Sequence, residues 1–469
     1  MQNSLFDGTR DRNKKIIEKL KNKKKSKKRV SKNKLKAQLS KIENKVKDNF
    51  TEEEIKNNRV IMDQQELYNY FKVDNLYAID TESDVVGSNP DPILDTFVGM
   101  SAYSKNNTSI YVPIKHKKTN LITFDYQFNY DNQLTYEEVE EVFREFDHKY
   151  VFHNSVYDIR VFLNALGYFD KGSTYWDTYI ASTYLNENEK HSLKYLYDKY
   201  VMGLSEQESL GFKDLFSDID ISLVPIYLAS LYGSKDAEMT YKLYEFQREY
   251  LHPEGEHIEK TGLKEAGQFF LDWEIPTVKA VVNMEERGMN FDKEYAKELS
   301  TKYTEKINEI EKEIYDFLDT LDYSNLNEKK KSQLGDPINL NSPQQIAIIM
   351  YDVLGLKYES RTTNVDALEH FEEKAKKEEV RNFFSNMLKE RKISKMLSTY
   401  IDKLPKVVKK DGKVHTRLNQ VGAKTGRFSS SDPNLQNLDA NNKEIRQMFS
   451  ADEGKVLIST DYSYLKLAV

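Results

Sequence analysis

Tyr77-Ala78-Ile79-Asp80-Thr81-Glu82 is a short apolar run that ends in acid. It reads as a strand over Asn75–Asp80. Side chains alternate along a strand, so Asp80 and Glu82 fall on one face at its end. Taken alone, such a pair is an ordinary exposed strand end. Two later stretches change its weight. Phe152-His153-Asn154-Ser155-Val156-Tyr157-Asp158 sets an Asn and an Asp four apart at a strand-to-helix transition, where one helical turn brings them to the same side. The plain alternative is an N-cap Asn followed by a first-turn Asp. Tyr232-Gly233-Ser234-Lys235-Asp236 sets a Tyr and an Asp four apart in a helical context. Asp80, Asp158 and Asp236 are evenly spaced along the chain.

Working outward, Phe97–Tyr103, Ser109–Pro113 and Tyr150–Phe152 read as further strands. Val156–Leu166, Thr178–Leu185, Leu193–Tyr200 and Ala229–Phe246 read as helices. Strands followed by helices over about 200 residues fit one α/β domain. Beyond residue 265 the pattern is helical: Trp273–Arg287 and Lys293–Leu321 are periodic, with Gly288 at a natural stop between them. Pro343 suits a helix first turn, and Val380–Leu404 reads as another long helix. From Lys410 the texture changes again. Asp411-Gly412 signals a turn between strands, and Lys455–Ser459 reads as a buried strand. The expected domains are 1–54, a Lys-rich tail, disordered or loosely helical; 55–265, α/β; 266–409, helical; and 410–469, a further α+β segment.

Composition narrows the chemistry. The 469 residues include no cysteine, which removes disulfides, thiolate metal sites and cysteine nucleophiles. With 8 His against 76 Asp+Glu, a metal site would be carboxylate-based, favouring Mg²⁺ or Mn²⁺. No apolar run approaches membrane-spanning length and no signal peptide precedes the first domain, so a cytoplasmic protein without a membrane partner is expected. The formal charge of −6 is unevenly spread. Residues 1–50 carry 18 basic and 5 acidic residues, net +13; the rest carries 52 basic and 71 acidic residues, net −19. The basic stretch suits a polyanion-binding arm. Its apolar residues (Ile16, Ile17, Leu20, Leu35, Leu39 and Ile42) read as too sparse for a core-facing helix.

The three acid-bearing stretches, in this order, resemble the Asp-x-Glu, Asn-x₃-Asp and Tyr-x₃-Asp motifs of the DEDDy 3′→5′ exonucleases. Trp176-Asp177-Thr178 and His191-Ser192-Leu193 resemble intervening segments of such domains. The resemblance implies that Asp80, Glu82, Asp158 and Asp236 hold two divalent ions, Mg²⁺ or Mn²⁺, and that Tyr232 orients the attacking water. Asn154 is expected to contact DNA. The residue types suit the chemistry. Phosphodiester hydrolysis builds negative charge on the attacking and leaving oxygens. Two ions about 4 Å apart stabilise both, and four clustered acids would repel one another without cations.

Thr425-Gly426-Arg427-Phe428-Ser429-Ser430-Ser431-Asp432-Pro433-Asn434-Leu435-Gln436-Asn437 is the most specific string in the chain. It resembles the signature of family A DNA polymerases. The strand-like Val456–Thr460 followed by Asp461-Tyr462-Ser463 resembles their motif A. Glu274–Asp292, Asn341–Ile346 and Arg391–Tyr400 resemble thumb segments. By this resemblance Thr425, Arg427, Asn434, Gln436 and Asn437 lie beside a primer–template, and Asp461 binds polymerase metals. The implied fold is α/β: a ribonuclease H-like 3′→5′ exonuclease domain, then a mainly α-helical thumb and an incomplete α+β palm.

The resemblance stops at Tyr464, and Lys466 stands where the family has a Glu that guards against ribonucleotides. The expectation is therefore the N-terminal portion of a bacteriophage-like replicative polymerase, in a bacterial cell or phage-infected host. Its partners would be single-stranded 3′ ends, primer–template DNA and a separate C-terminal polymerase fragment. It would digest DNA without extending primers. The alternatives are a stand-alone DEDDy exonuclease of the ribonuclease D kind, acting on RNA or DNA, and a non-catalytic DNA-binding or assembly subunit.

Overall fold

The computed structural model describes residues 32–86, 89–118, 129–216, 219–438 and 442–460. It divides into two compact units. The first runs to Glu286 and takes in Leu418–Ser429; the second comprises Arg287–Arg417 and the chain from Ser430.

The first unit is built on a six-stranded sheet of β1 (Arg59–Val60), β2 (Leu76–Asp84), β3 (Thr96–Tyr103), β4 (Ile110–Pro113), β5 (Lys149–Phe152) and β6 (Thr174–Asp177), in the order β1-β4-β3-β2-β5-β6. β2 pairs antiparallel with β3 and parallel with β5, and β6 lies parallel to β5. Parallel neighbours need a crossover, which between β5 and β6 is the helix Ser155–Leu166. Tyr77, Ala78 and Ile79 of β2 are fully buried, because a strand inside such a sheet has both faces covered. The strand does not stop at Asp80. Its ladder with β3 continues through Asp80↔Ser101 and Glu82↔Gly99, and the register shifts between Glu82 and Ser83. Gly99 is required opposite Glu82: a Cβ there would come within 2.4 Å of the Tyr111 hydroxyl.

Four helices position the site: α1 (Lys32–Asn49), α2 (Ser155–Leu166), α3 (Thr178–Leu185) and α4 (Ile226–Leu251). α4 lies across β2, β3 and β4. Trp176, fully buried on β6, donates its indole N–H to Gln247 Oε1 of α4 at 3.1 Å. The helix Ile275–Arg287 is anchored to this core through Val278 and Val282, so the first unit reaches Glu286.

Residues 32–49 are a helix with a core-facing stripe, not part of a disordered or loosely helical tail. Leu39, Ile42 and Val46 are buried with Leu215, Phe216, Leu228 and Tyr232, and Lys45 Nζ donates to the Asp214 carbonyl at 2.6 Å. Spacings of three and four put these three residues on one stripe. That is enough, because α1 packs by a narrow face and Lys36, Lys41 and Lys45 remain exposed. Residues 1–31 lie outside the described residues.

The second unit packs α5 (Lys293–Leu318) and α6 (Glu378–Met396) together and Val365–Lys374 against α6. Asp292 caps α5, accepting from the Tyr295 amide at 2.9 Å. Gly288 precedes it with φ +59°, and a Cβ there would strike the His415 ring at 2.8 Å, so the stop legible in the sequence is sterically enforced. Met289–Phe291 forms the middle strand of a small antiparallel sheet, flanked by Lys413–Val414 and Phe449–Ser450. The expected strand Lys455–Ser459 is absent. Residues 455–460 have no strand partner among the described residues, and Val456, Leu457 and Ile458 are 78%, 60% and 81% exposed. An apolar β-branched run becomes a buried strand only when a neighbour supplies its ladder.

Candidate active site

β2, α2 and α4 bring the acids together. Asp80 and Glu82 project from one face of β2, and α4 delivers Asp236 to them. Carboxylate oxygens of Asp80, Glu82 and Asp236 all lie within 4.8 Å of one another. Gly233 makes this approach possible: a Cβ on it would sit 3.0 Å from the Tyr111 ring and 3.6 Å from Glu82 Oε1. Asp158, buried in the first turn of α2, stands at the edge of the group. Its Oδ1 accepts from the Thr81 hydroxyl at 2.5 Å and from the Thr81 amide at 3.2 Å. The structure thus groups three of the four expected acids directly and ties the fourth to the residue between Asp80 and Glu82.

The electrostatics are those of crowded acids. Burial pushes the Asp80 carboxyl up to about 6, while the Lys194 ammonium pulls it down. Burial, then the charge of Asp80, holds Glu82 well above the usual carboxylate range, and the same two causes raise Asp158. Glu82 Oε1 is buried and accepts no hydrogen bond from the described residues. A buried carboxylate oxygen left unpaired beside other acids is costly, and hard divalent cations are the ligands such oxygens suit. The residues therefore fit a divalent ion.

Tyr232 lies one turn before Asp236 on α4. Its ring packs edge-on against Phe212 and Phe216, and burial together with the charges of Glu82 and Asp80 raises its phenol well above its ordinary value. Asn154 occupies the N-cap position of α2 in the left-handed region, φ +77°, with its side chain exposed and making no cap bond. Asn tolerates this conformation better than most residues.

Three residues had no assigned role in the sequence reading. Asp177 accepts from the amides of Asn154 at 3.1 Å and Ser155 at 2.7 Å and from the Ser155 hydroxyl at 2.7 Å, while also capping α3. It therefore fixes the turn that aims Asp158. Its signal was an Asp immediately before a helix. Thr81 is the clasp on Asp158, and nothing in its type marks it. Lys194, in the short helical turn Leu193–Leu196, pairs with Asp236 and lies 4.8 Å from the centroid of the Tyr232 ring. Burial holds its ammonium down to about 8, against the opposing pull of Asp80 and Glu82. It follows directly on His191-Ser192-Leu193. A cavity of about 440 Å³ adjoins these residues, lined by Lys194, Tyr232 and Asp236 and, across from them, by Thr51 and Glu54.

The second constellation is placed differently. Thr425 and Arg427 are exposed on the segment that belongs to the first unit, held there by Asn419 Nδ2 donating to the Tyr179 hydroxyl at 3.1 Å. Asn434, Gln436 and Asn437 are exposed in the second unit. There the Asn434 side chain accepts from the amides of Gln436 and Asn437 at 3.0 and 3.2 Å, shaping the turn. Asp461 lies outside the described residues.

Sheet, crossing helix and acid cluster define the class of the first unit, an α/β domain of the exonuclease kind. Residues 59–251 match the family model described as 3'-5' exonuclease, and residues 293–469 match DNA polymerase family A. The chain thus carries a 3′-5′ exonuclease domain and, after it, part of a family A polymerase domain. The second match sets aside a stand-alone exonuclease. DNA polymerase I of Borreliella burgdorferi is 28% identical over 419 residues, covering 87% of this chain and 40% of that protein. DNA polymerase I of Synechocystis is 29% identical over 416 residues, covering 86% and 38%. The thermostable DNA polymerase I of Thermus aquaticus is 34% identical over 207 residues, covering 42% and 22%. The chain thus spans about 40% or less of the length of these curated relatives. In fold it is similar to the POL domain of Pol1 from M. smegmatis in complex with DNA primer-template and dNTP (TM-score 0.58, 17% identity, 84% of this chain and 59% of that one). No helix among the described residues is long and apolar enough to cross a membrane.

Proposed function

We propose that the first unit removes nucleotides from DNA 3′ ends, as the proofreading exonuclease of a replicative polymerase, and that Asp80, Glu82, Asp158 and Asp236 hold Mg²⁺ or Mn²⁺. The observation that carries this reading is the convergence of Asp80, Glu82 and Asp236 within 4.8 Å around an unpaired buried oxygen of Glu82. Divalent ions bound there would supply charge stabilisation to the attacking and leaving oxygens of the phosphodiester. The protein's own part is positional. The bulged end of β2 and the Gly233 approach hold three carboxylates at fixed spacing. Asp177 and Thr81 set Asp158, and Tyr232 at the cavity wall orients the attacking water. Asn154, exposed beside the site, contacts the strand being shortened.

For the polymerase segment we propose that Thr425, Arg427, Asn434, Gln436 and Asn437 contact primer–template DNA and that Asp461 is a metal ligand. Exposure of the five described residues supports this. Arg offers a fork of donors to phosphate, and the amides offer donors to minor-groove acceptors present at every base pair. The experiment is digestion of a 5′-labelled single strand by the full chain with Mg²⁺, Mn²⁺ or EDTA. Metal-dependent 3′→5′ shortening that disappears in Asp80→Ala/Glu82→Ala is the expected result. Undiminished digestion by the double variant would refute the assignment.

A further inference from the structure

The acid cluster already contains a cation of its own. Lys194 reaches it from the turn Leu193–Leu196, pairs with Asp236 and lies over the face of Tyr232, 4.8 Å from the ring centroid. The residue is buried, and its charge also acts on Asp80 and Glu82. The neighbouring Lys235 is occupied elsewhere: its ammonium pairs with Glu54 at 2.6 Å and lies over the Phe50 ring. Lys194 therefore takes up, on one carboxylate, the place a divalent cation would claim. An ammonium and a divalent ion cannot share one carboxylate oxygen at contact distance, since like charges in a poorly hydrated site repel strongly. The lysine stem is long and flexible, and the cavity of about 440 Å³ opens beside Lys194 and Asp236.

We propose that Lys194 is the resident counter-ion of this site: it neutralises Asp236 while no divalent ion is bound and is displaced into the adjoining cavity when one binds. The inference rests on the metal-binding reading above. It makes Lys194 a positioning residue that sets metal affinity. Linkage requires that whatever Lys194 gains from Asp236, an entering cation must give up. Lys194→Met keeps the stem and removes the charge. It should lower the metal-free melting temperature, because Asp236 loses the cation paired with it, and should tighten Mn²⁺ binding by roughly tenfold, within the usual range of such couplings. Lys194→Arg should stay close to the parent protein.

The test is calorimetric titration of the full chain with Mn²⁺ at neutral pH, beside the thermal shift that Mn²⁺ produces. A lower Kd and larger shift in Lys194→Met support the proposal. An equal or higher Kd than the parent overturns it while leaving the metal site intact. Absence of Mn²⁺ binding in parent and variant alike overturns the metal-site reading and this inference together. Should Lys194→Met fail to fold, amine labelling of the unmodified chain followed by peptide mass spectrometry answers the same question. Lys194 should label several-fold faster with Mn²⁺ present, and an unchanged rate overturns the proposal.

Discussion

The acid cluster and the Thr425–Asn437 string are built in opposite ways. The cluster draws Asp80, Asp158 and Asp236 from three distant parts of the chain into one buried group. The string is continuous in sequence, yet its polar residues stand exposed and are divided between two units. The first arrangement stores its function in electrostatics that the fold must enforce. The second stores it in donors held out to solvent, where they cost little. Substitutions in the two regions should therefore differ in kind: the cluster and its supports trade stability against activity, and the string should touch neither stability nor hydrolysis.

The sharpest way to break this contrast is at Arg160. It is buried on α2 between Glu285 and Glu286, with its Nε donating to Glu286 Oε1 at 2.6 Å. Glu285 Oε1 in turn accepts from the Leu418 amide at 2.6 Å. Arg160→Met should cost about 3–5 kcal/mol in chemical denaturation, because it strands the buried Glu285 carboxylate. A cost below 1 kcal/mol would show that the helix carrying Asp158 does not depend on this pair. Next is Asp158→Asn, which should slow strand digestion roughly 10²–10³-fold, the scale lost when one preorganised charge is removed. Single-turnover rates would check it. Leu39→Ala should destabilise the first unit by about 2–4 kcal/mol as a core truncation; a negligible change in thermal unfolding would return α1 to the expected loosely helical tail.

His116 gives a pH test. Burial holds its imidazole down to about 4, with the ring bonded to the Tyr111 hydroxyl at 2.8 Å and near the Val224 carbonyl. The unfolded chain therefore takes up this proton first, near pH 6.5. The contribution is complete above that pH and is lost as pH falls toward 4, by up to about 3 kcal/mol. In His116→Gln that part of the acid loss should vanish, which denaturation midpoints at pH 7 and pH 5 would reveal. The smallest effect is expected at Arg427→Ala. Digestion of a single strand should stay within about twofold, while binding to primer–template weakens and its salt dependence flattens. A large loss of digestion would mean that the string serves the acid cluster after all.

Much of the first unit was legible because local rules agree with the global fold there. Thr178–Leu185 begins and ends where its pattern says, and the strands at Phe97, Ser109 and Tyr150 are displaced by a residue at most. Two failures share a cause. In α1, Leu39 and Ile42 look sparse until Val46 joins them on one stripe and Leu215 and Phe216 provide a surface for it. Lys455–Ser459 reads as a strand but forms no ladder among the described residues, because its apolar run says nothing about whether a neighbour exists. Both are decided by what lies across from the segment, which no local pattern records.

By itself, the sequence determined the identities and order of the acids, the absence of thiol chemistry and the helical stop at Gly288. These follow from residue type and short-range periodicity. Only the tertiary structure decided that Lys194 lies against Asp236, that Thr81 and Asp177 position Asp158, and that Thr425 and Asn437 fall in different units. Those facts depend on contacts between residues far apart in the chain, and their energies arise from burial and charge that exist only once the chain has folded.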